Sequence, residues 1–234
     1  MTISLLLRRR RLIAVALVAV FLAAMSCTFE TSNSGSLYAN VPYYGQEQIY
    51  YCTAACVQMI AKWSGANVTQ QEAFAYMQGT ISGGVQREQL VNGIRSYTSE
   101  GDAYLDQAVN SDNNYFARQI SSVSNKVPLV ALTDGGSHTV VLYGGSWHAV
   151  VDTSNRKTFY WDDVIFHDPS RGGGLQWTAG AWRSLHCSSF GTVCEQVISY
   201  SAALAGPRTL ADYNPTVYAT GDDDTGHDHG PYEY

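Results

Sequence analysis

The chain carries little charge. Asp, Glu, Lys and Arg make up 15% of its 234 residues, against roughly 25% in an ordinary globular chain. It has no basic surplus, since 14 Lys and Arg stand against 20 Asp and Glu. That leaves no basic face and excludes nucleic acid as a partner, because phosphate binding needs one. Long apolar runs are also missing. The longest, Leu12 to Met25, has 14 residues and is too short for a comfortable membrane span. There is no internal repeat, and there are no two close cysteine pairs of the kind that hold structural zinc. What is present is apolar material: 45% hydrophobic residues and 16 Tyr. This is a globular composition with enough for one core, or at most two domains.

The apolar run follows a basic cluster, Arg8 to Arg11, as in a signal segment. It ends in "LAAMSC", where Ala24 and Ser26 are the small residues a signal peptidase accepts. The same stretch resembles a bacterial lipobox, which implies a lipid on Cys27, although Ala24 stands where such motifs usually have Leu. Residues 1–27 therefore read as a signal peptide or lipoprotein signal. The expectation is an exported chain, secreted or attached to the outer face of the membrane through Cys27. Removing this segment takes four basic residues and no acidic one, so the mature chain carries a charge of −10. Residues 28–40, "TFETSNSGSLYAN", read as a polar linker. Residues 41–205 form the domain. Residues 206–234 read as an acidic, disordered tail with almost no aliphatic side chains. His227 and His229 in that tail could catch a metal ion, but a solvated acidic tail is the plainer reading.

Within the domain the pattern changes half-way. Residues 52–64 carry a broad apolar face at helical spacing: Ala54, Ala55, Val57, Met59, Ile60 and Trp63. "NVTQQEAFAYMQG" places Thr69 and Glu72 at capping-box spacing and stops at Gly79. "VQREQLVNGIRSY" and "NNYFARQISSV" predict two more helices. From Pro128 onward the texture is β-rich: "VPLVALT", "HTVVLYGG", "WHAVVD", "TFYWDDVIF" and "CEQVISYSA", separated by Gly, Asn and Ser. "PSRGGGLQW" reads as a loop. Helices followed by strands indicate an α+β fold.

Two of the five cysteines, Cys52 and Cys56, lie one helical turn apart. A zinc site lacks its second pair of ligands, because Cys187 and Cys194 are separated by six loop residues. In an exported chain those two predict a disulfide instead. A bond between Cys52 and Cys56 is disfavoured, since their Cβ directions on one helix are nearly parallel. Cys52 opens a helix, where the positive end of the dipole lowers a thiol pKa. Cys56, one turn further in, reads as a packed core thiol. Gln46, six residues before Cys52, could set its side-chain amide beside the Cys52 N–H and form an oxyanion hole.

"GQEQIYYCTAAC" resembles the papain-like cysteine peptidase signature. "VPYYGQEQIYYCTAACVQMI" is similar to the bacterial bacteriocin-processing, double-glycine-peptidase-like branch. The family's His opens a strand with Gly six residues on, as His138 and Gly144 do in "HTVVLYGG". A later Asn or Asp follows, here Asp168 in "VIFHDPS". The resemblance spans residues 41–172 and implies a papain-like fold with the site in a cleft between a helical half and an antiparallel sheet half. It implies an exported cysteine peptidase acting on peptides or proteins, with Cys52 as nucleophile, His138 as base, Asp168 orienting the imidazole and Gln46 assisting the oxyanion. No metal or cofactor is needed. Thr53 departs from the pattern, which usually has Gly or an aromatic after the nucleophile. His148, in "WHAVVD", is a second candidate base, but Ser154 stands where Gly is required. His167 would face away from Cys52, because neighbours on a strand point to opposite faces. His186 reads as a loop residue. The same thioester chemistry would serve a transpeptidase or acyltransferase, and a catalytically silent papain-like binding module is the reading from another class.

Overall fold

The computed structural model describes residues 33–109, 113–152, 156–187, 193–199 and 202. The signal segment, Cys27 and the acidic tail with His227 and His229 lie outside the described residues. Helix α1 (Cys52–Trp63) buries eight of its twelve residues. Burying a side chain of the size of Met59 or Ile60 stabilises the fold by about 2 kcal/mol, and both are almost fully buried. Helix α2 (Gln70–Tyr76) starts at the predicted capping box: Thr69 accepts from the Glu72 N–H, and the Glu72 carboxylate accepts from the Thr69 N–H. Such a cap contributes about 1 kcal/mol. Helices α3 (Arg87–Tyr97) and α4 (Asn113–Ser124) complete the helices expected from periodicity.

Among the described residues, seven strands form one antiparallel sheet in the order β2-β7-β3-β4-β5-β6, with β1 also paired to β4. They are β1 (Asn33–Tyr38), β2 (Ala103–Val109), β3 (Leu129–Thr133), β4 (His138–Val151), β5 (Lys157–Asp168), β6 (Gly172–Thr178) and β7 (Val193–Ser199). The alternation of strand side chains sorts two cores onto opposite faces. Val130, Leu132, Val141 and Val197 pack with α1, α2 and α3. Leu129, Ala131, Val140, Leu142 and Ile198 pack with α4 and with Trp182 of a short helix α5 (Ala179–His186).

Several segments differ from their sequence reading. Residues 33–38, read as linker, pair as β1 along Gly144 to Ala149. "HTVVLYGG" and "WHAVVD" are one strand. The pairing with β5 shifts register between Leu142 and Gly144, so the glycines bend β4 without ending it. Gly145 has φ +147°, and a Cβ there would collide with the Asp163 carbonyl oxygen, so only glycine fits. "GGGLQW", read as a loop, is β6, paired to β5 through its backbone. His186, read as a loop residue, ends helix α5, whose Thr178 cap accepts from the Ala181 N–H. Cys187 and Cys194 are joined in a disulfide with Cα atoms 4.3 Å apart.

Candidate active site

Helix α1 begins without a side-chain cap, since the N-cap residue is Tyr51 and makes no capping hydrogen bond. Its first N–H groups therefore have no intrahelical or side-chain partner. The thiol of Cys52 stands at this uncapped positive end. Strand β4 sets His138 beside it, and β5 ends in Asp168. The His138 Nε2 hydrogen-bonds Asp168 Oδ1 at 2.8 Å, which leaves Nδ1 for the thiol. His138 and Cys52 line the same cleft, and each shifts the other's titration.

Electrostatics follow from this chain of contacts. Burial alone pushes the Cys52 thiol up. Hydrogen bonds to His138, Thr139 and Thr53, with the charge of His138, outweigh it and lower the thiol to about 7. For His138 burial again opposes the charge, but Asp168 and Cys52 raise it to about 9. Asp168 is 1% exposed. Burial would raise its carboxyl, yet His138 and the Ser170 hydroxyl and N–H hold it at about 2. The turn after β5 supplies those donors: Ser170 N at 2.8 Å, Ser170 Oγ at 2.7 Å and Arg171 N at 3.2 Å all reach Asp168 Oδ1. Cys56 is fully buried, and burial, then the charge of Cys52, push its thiol well above the ordinary range.

Gln46 sits between these parts. Its backbone N–H donates to the Pro169 carbonyl at 2.9 Å, beside Asp168. Its side-chain Nε2 donates to the Ile49 carbonyl at 2.9 Å, which engages one of the two amide hydrogens. Its Oε1 is buried with no hydrogen-bond partner among the described residues. The cleft that holds Cys52 and His138 has a volume of about 430 Å³, and Gln46 is not among its lining residues.

The other histidines are placed elsewhere. His148 bonds Asp162 through Nδ1 at 2.7 Å and stacks on Tyr160 at the surface. His167 accepts from the Gly174 N–H on Nδ1 at 3.0 Å and donates from Nε2 to the Val41 carbonyl at 2.8 Å. Both its nitrogens are thus engaged away from Cys52, and burial lowers its pKa. His186 lies under the other face of the sheet, stacked on Trp182 and Tyr115.

Two site residues escaped the sequence reading. Thr139, buried, donates to Thr53 Oγ1 at 3.2 Å and helps to lower the Cys52 thiol. Thr53 Oγ1 lies 3.9 Å from the Cys52 sulfur. The unusual residue after Cys52 thus pairs with the residue after His138, and that coincidence of two threonines was the available signal. Arg87 also lines the cleft; its position opening a helix gave no hint of this.

A family model described as "Peptidase_C39 like family" matches residues 38–190, which include Gln46, Cys52, His138 and Asp168. The chain belongs to the Peptidase_C39 like family. No curated protein matches it. Among solved structures, a C39-like peptidase from Bacillus anthracis is 13% identical, covering 69% of this chain and 97% of that one, with a TM-score of 0.49. A double glycine motif protease from an AMS/PCAT transporter, solved in complex with the leader peptide, is 15% identical over 68% of this chain and 93% of that one, with a TM-score of 0.44. The peptidase domain of Streptococcus ComA is 11% identical over 70% of this chain and 97% of that one, with a TM-score of 0.43. Membership of the C39-like family agrees with the α+β, papain-like fold that the sequence resemblance implied.

Proposed function

We propose that the chain is an exported cysteine peptidase that hydrolyses peptide bonds at Cys52. One observation carries this reading: Cys52 and His138 line one cleft, and His138 hydrogen-bonds the buried Asp168 carboxylate through Nε2. The thiol lies at about 7 and the imidazole at about 9, so a thiolate–imidazolium pair is populated between those values.

The Cys52 thiolate attacks the carbonyl carbon of the scissile bond, forming a C–S bond and a tetrahedral oxyanion. The Cys52 N–H and the second amide hydrogen of Gln46 receive the negative charge. Protonated Nδ1 of His138 delivers its proton to the leaving nitrogen as the C–N bond breaks, which leaves a thioester. The neutral imidazole then takes a proton from water, hydroxide adds to the thioester, and collapse expels the thiolate with a free carboxylate product. Asp168 holds the ring and stabilises its charge without itself transferring a proton. The cleft suits an extended peptide. Ile49 and Ile81 on its lining are 89% and 75% exposed, and apolar groups left this bare invite a partner. A peptide substrate is also supported by the AMS/PCAT protease, which was solved with a leader peptide.

Export is supported by the segment of residues 1–27 and by the Cys187–Cys194 disulfide, since such bonds persist in oxidising compartments. Cys27 is the proposed lipid site, tested by the membrane-to-soluble shift of Cys27→Ala. Activity is tested by incubating the purified chain and Cys52→Ala with a peptide library and reading cleavage by mass spectrometry. Cleavage by the wild type alone supports the proposal. Equal cleavage by the folded Cys52→Ala variant rejects it.

A further inference from the structure

We propose that Arg87 makes the Cys52 cleft select peptides that carry a carboxylate near the scissile bond; this rests on the peptidase reading above. Arg87 is the first residue of α3, where the helix dipole disfavours a cation. A buried anion offsets that. Arg87 Nε lies 2.8 Å from Oε2 of Glu195, a β7 residue that is 6% exposed. Gln107 Nε2 donates to the other carboxylate oxygen, Oε1. Both oxygens of Glu195 are thus engaged, and the guanidinium is fastened by its Nε alone. Among the described residues its two terminal amino groups make no hydrogen bond.

The side chain is 46% exposed and lines the cleft that holds Cys52 and His138. Gly136 makes room for it. This glycine has φ +88°, and a Cβ there would stand 3.0 Å from Arg87 Nη2. The guanidinium therefore lies against the short segment that leads into His138. Among the described residues, no acidic side chain lines the cleft. A planar guanidinium with free terminal donors matches a carboxylate with two N–H···O bonds, which a lysine cannot reproduce. Glu195 sits behind the guanidinium as an anchor, and the open donors are offered to the substrate.

The carboxylate can belong to an Asp or Glu side chain or to a peptide C-terminus, so the test has an arm for each. Glu/Gln peptide pairs and free-acid/amide pairs are assayed for cleavage by the wild type, Arg87→Gln and Arg87→Lys. The same pairs are titrated against Cys52→Ala for binding. The expected result is about a tenfold preference for one acid form, expressed in KM. It should collapse to about twofold in Arg87→Gln and be only partly restored in Arg87→Lys. If Arg87→Gln fails to fold because Glu195 is left unpaired, the double variant Arg87→Gln/Glu195→Gln takes its place. Equal cleavage of acid and amide forms by the wild type overturns the Arg87 assignment and leaves the peptidase reading intact. No cleavage of any peptide, with acid-selective binding to Cys52→Ala that Arg87→Gln abolishes, supports Arg87 and rejects the peptidase reading. No cleavage and no acid-selective binding overturns both.

Discussion

Two histidines on opposite sides of the sheet show what makes a titrating pair. His138, in the cleft, is held through Nε2 by Asp168, and His186, under the other face, is held by hydrogen bonds on both ring nitrogens. His186 donates from Nδ1 to the Leu132 carbonyl at 2.8 Å, and its Nε2 meets the Tyr115 hydroxyl at 2.7 Å and Gln119 Nε2 at 3.1 Å. All its partners are neutral, and burial drives it down to about 4. Burial acts in the same direction on His138, yet Asp168 and Cys52 carry it up to about 9. A carboxylate and a thiol within hydrogen-bond reach decide the sign. Cys52 and Cys56 repeat the lesson on one helix: the thiol at the N-terminus with His138 is lowered, and the thiol one turn deeper is raised.

The comparison breaks most clearly by truncation. His138→Ala should lower kcat/KM by about 10²- to 10⁴-fold, the usual worth of general acid–base help, with the thermal midpoint little changed. His186→Ala should do the reverse. It strands the Tyr115 hydroxyl and the Leu132 carbonyl and opens a cavity, costing about 3–5 kcal/mol of stability. The folded fraction should keep its kcat/KM. Urea unfolding and peptide kinetics on both variants decide it, and exchanged phenotypes would refute the assignment of the two regions.

Asp168→Asn should come next, lowering kcat/KM by about ten- to a hundredfold through loss of a charge-assisted hydrogen bond. An amide oxygen can still accept from Nε2, so the loss is smaller than for His138→Ala. The alkaline limb of the pH–rate profile should move below about 9, because Asp168 supports the imidazolium. An unmoved limb would show that Asp168 does not set the charge of His138.

How far the sequence could be read depended on how each element is held. Helix α1 and strand β3 are buried in stripes and runs that periodicity detects. Of the proposed set, Gln46 and Cys52 stand six residues apart and His138 has Gly144 six residues on, whereas Asp168 was read from its place in the order alone. β6 was not, since three glycines carry no strand signal. Its order comes from backbone pairing to β5 and from Tyr43, whose ring lies 2.9 Å from where a Cβ on Gly173 would stand. β2 was hidden because it buries Asp106, a polar residue held by Arg118 and Gln196 at 2.8 Å. α5 is only eight residues long, and its one cue was the i, i+4 spacing of Trp182 and His186. The roles of Thr139 and Arg87 exist only once distant elements meet.

A smaller effect sharpens the comparison through pH. The folded pKa of His186 lies below the ordinary 6.5, so its neutral form stabilises the fold fully above that value. This stability is lost as pH falls through about 4, an order of 3 kcal/mol in total. Urea midpoints at neutral and mildly acidic pH should therefore differ less for His186→Gln than for the wild type, and an identical pH dependence would show that His186 is not held neutral. The smallest effect is expected from Thr139→Val, which removes the hydroxyl that donates to Thr53 and helps to lower the Cys52 thiol, a hydrogen bond worth about 1 kcal/mol. The acidic limb of activity should rise by less than about one pH unit, and Thr139→Ser should restore it. No change would leave Thr139 as packing alone.

The most direct measurement of the account is the rate of iodoacetamide alkylation against pH, with the modified residue mapped by mass spectrometry. The account predicts modification at Cys52, with the rate rising through about 7, and with Cys56 untouched in the folded protein. In His138→Ala the rise should move toward the ordinary thiol range. Alkylation that begins only near 9 in the wild type, or that falls on Cys56, would contradict it.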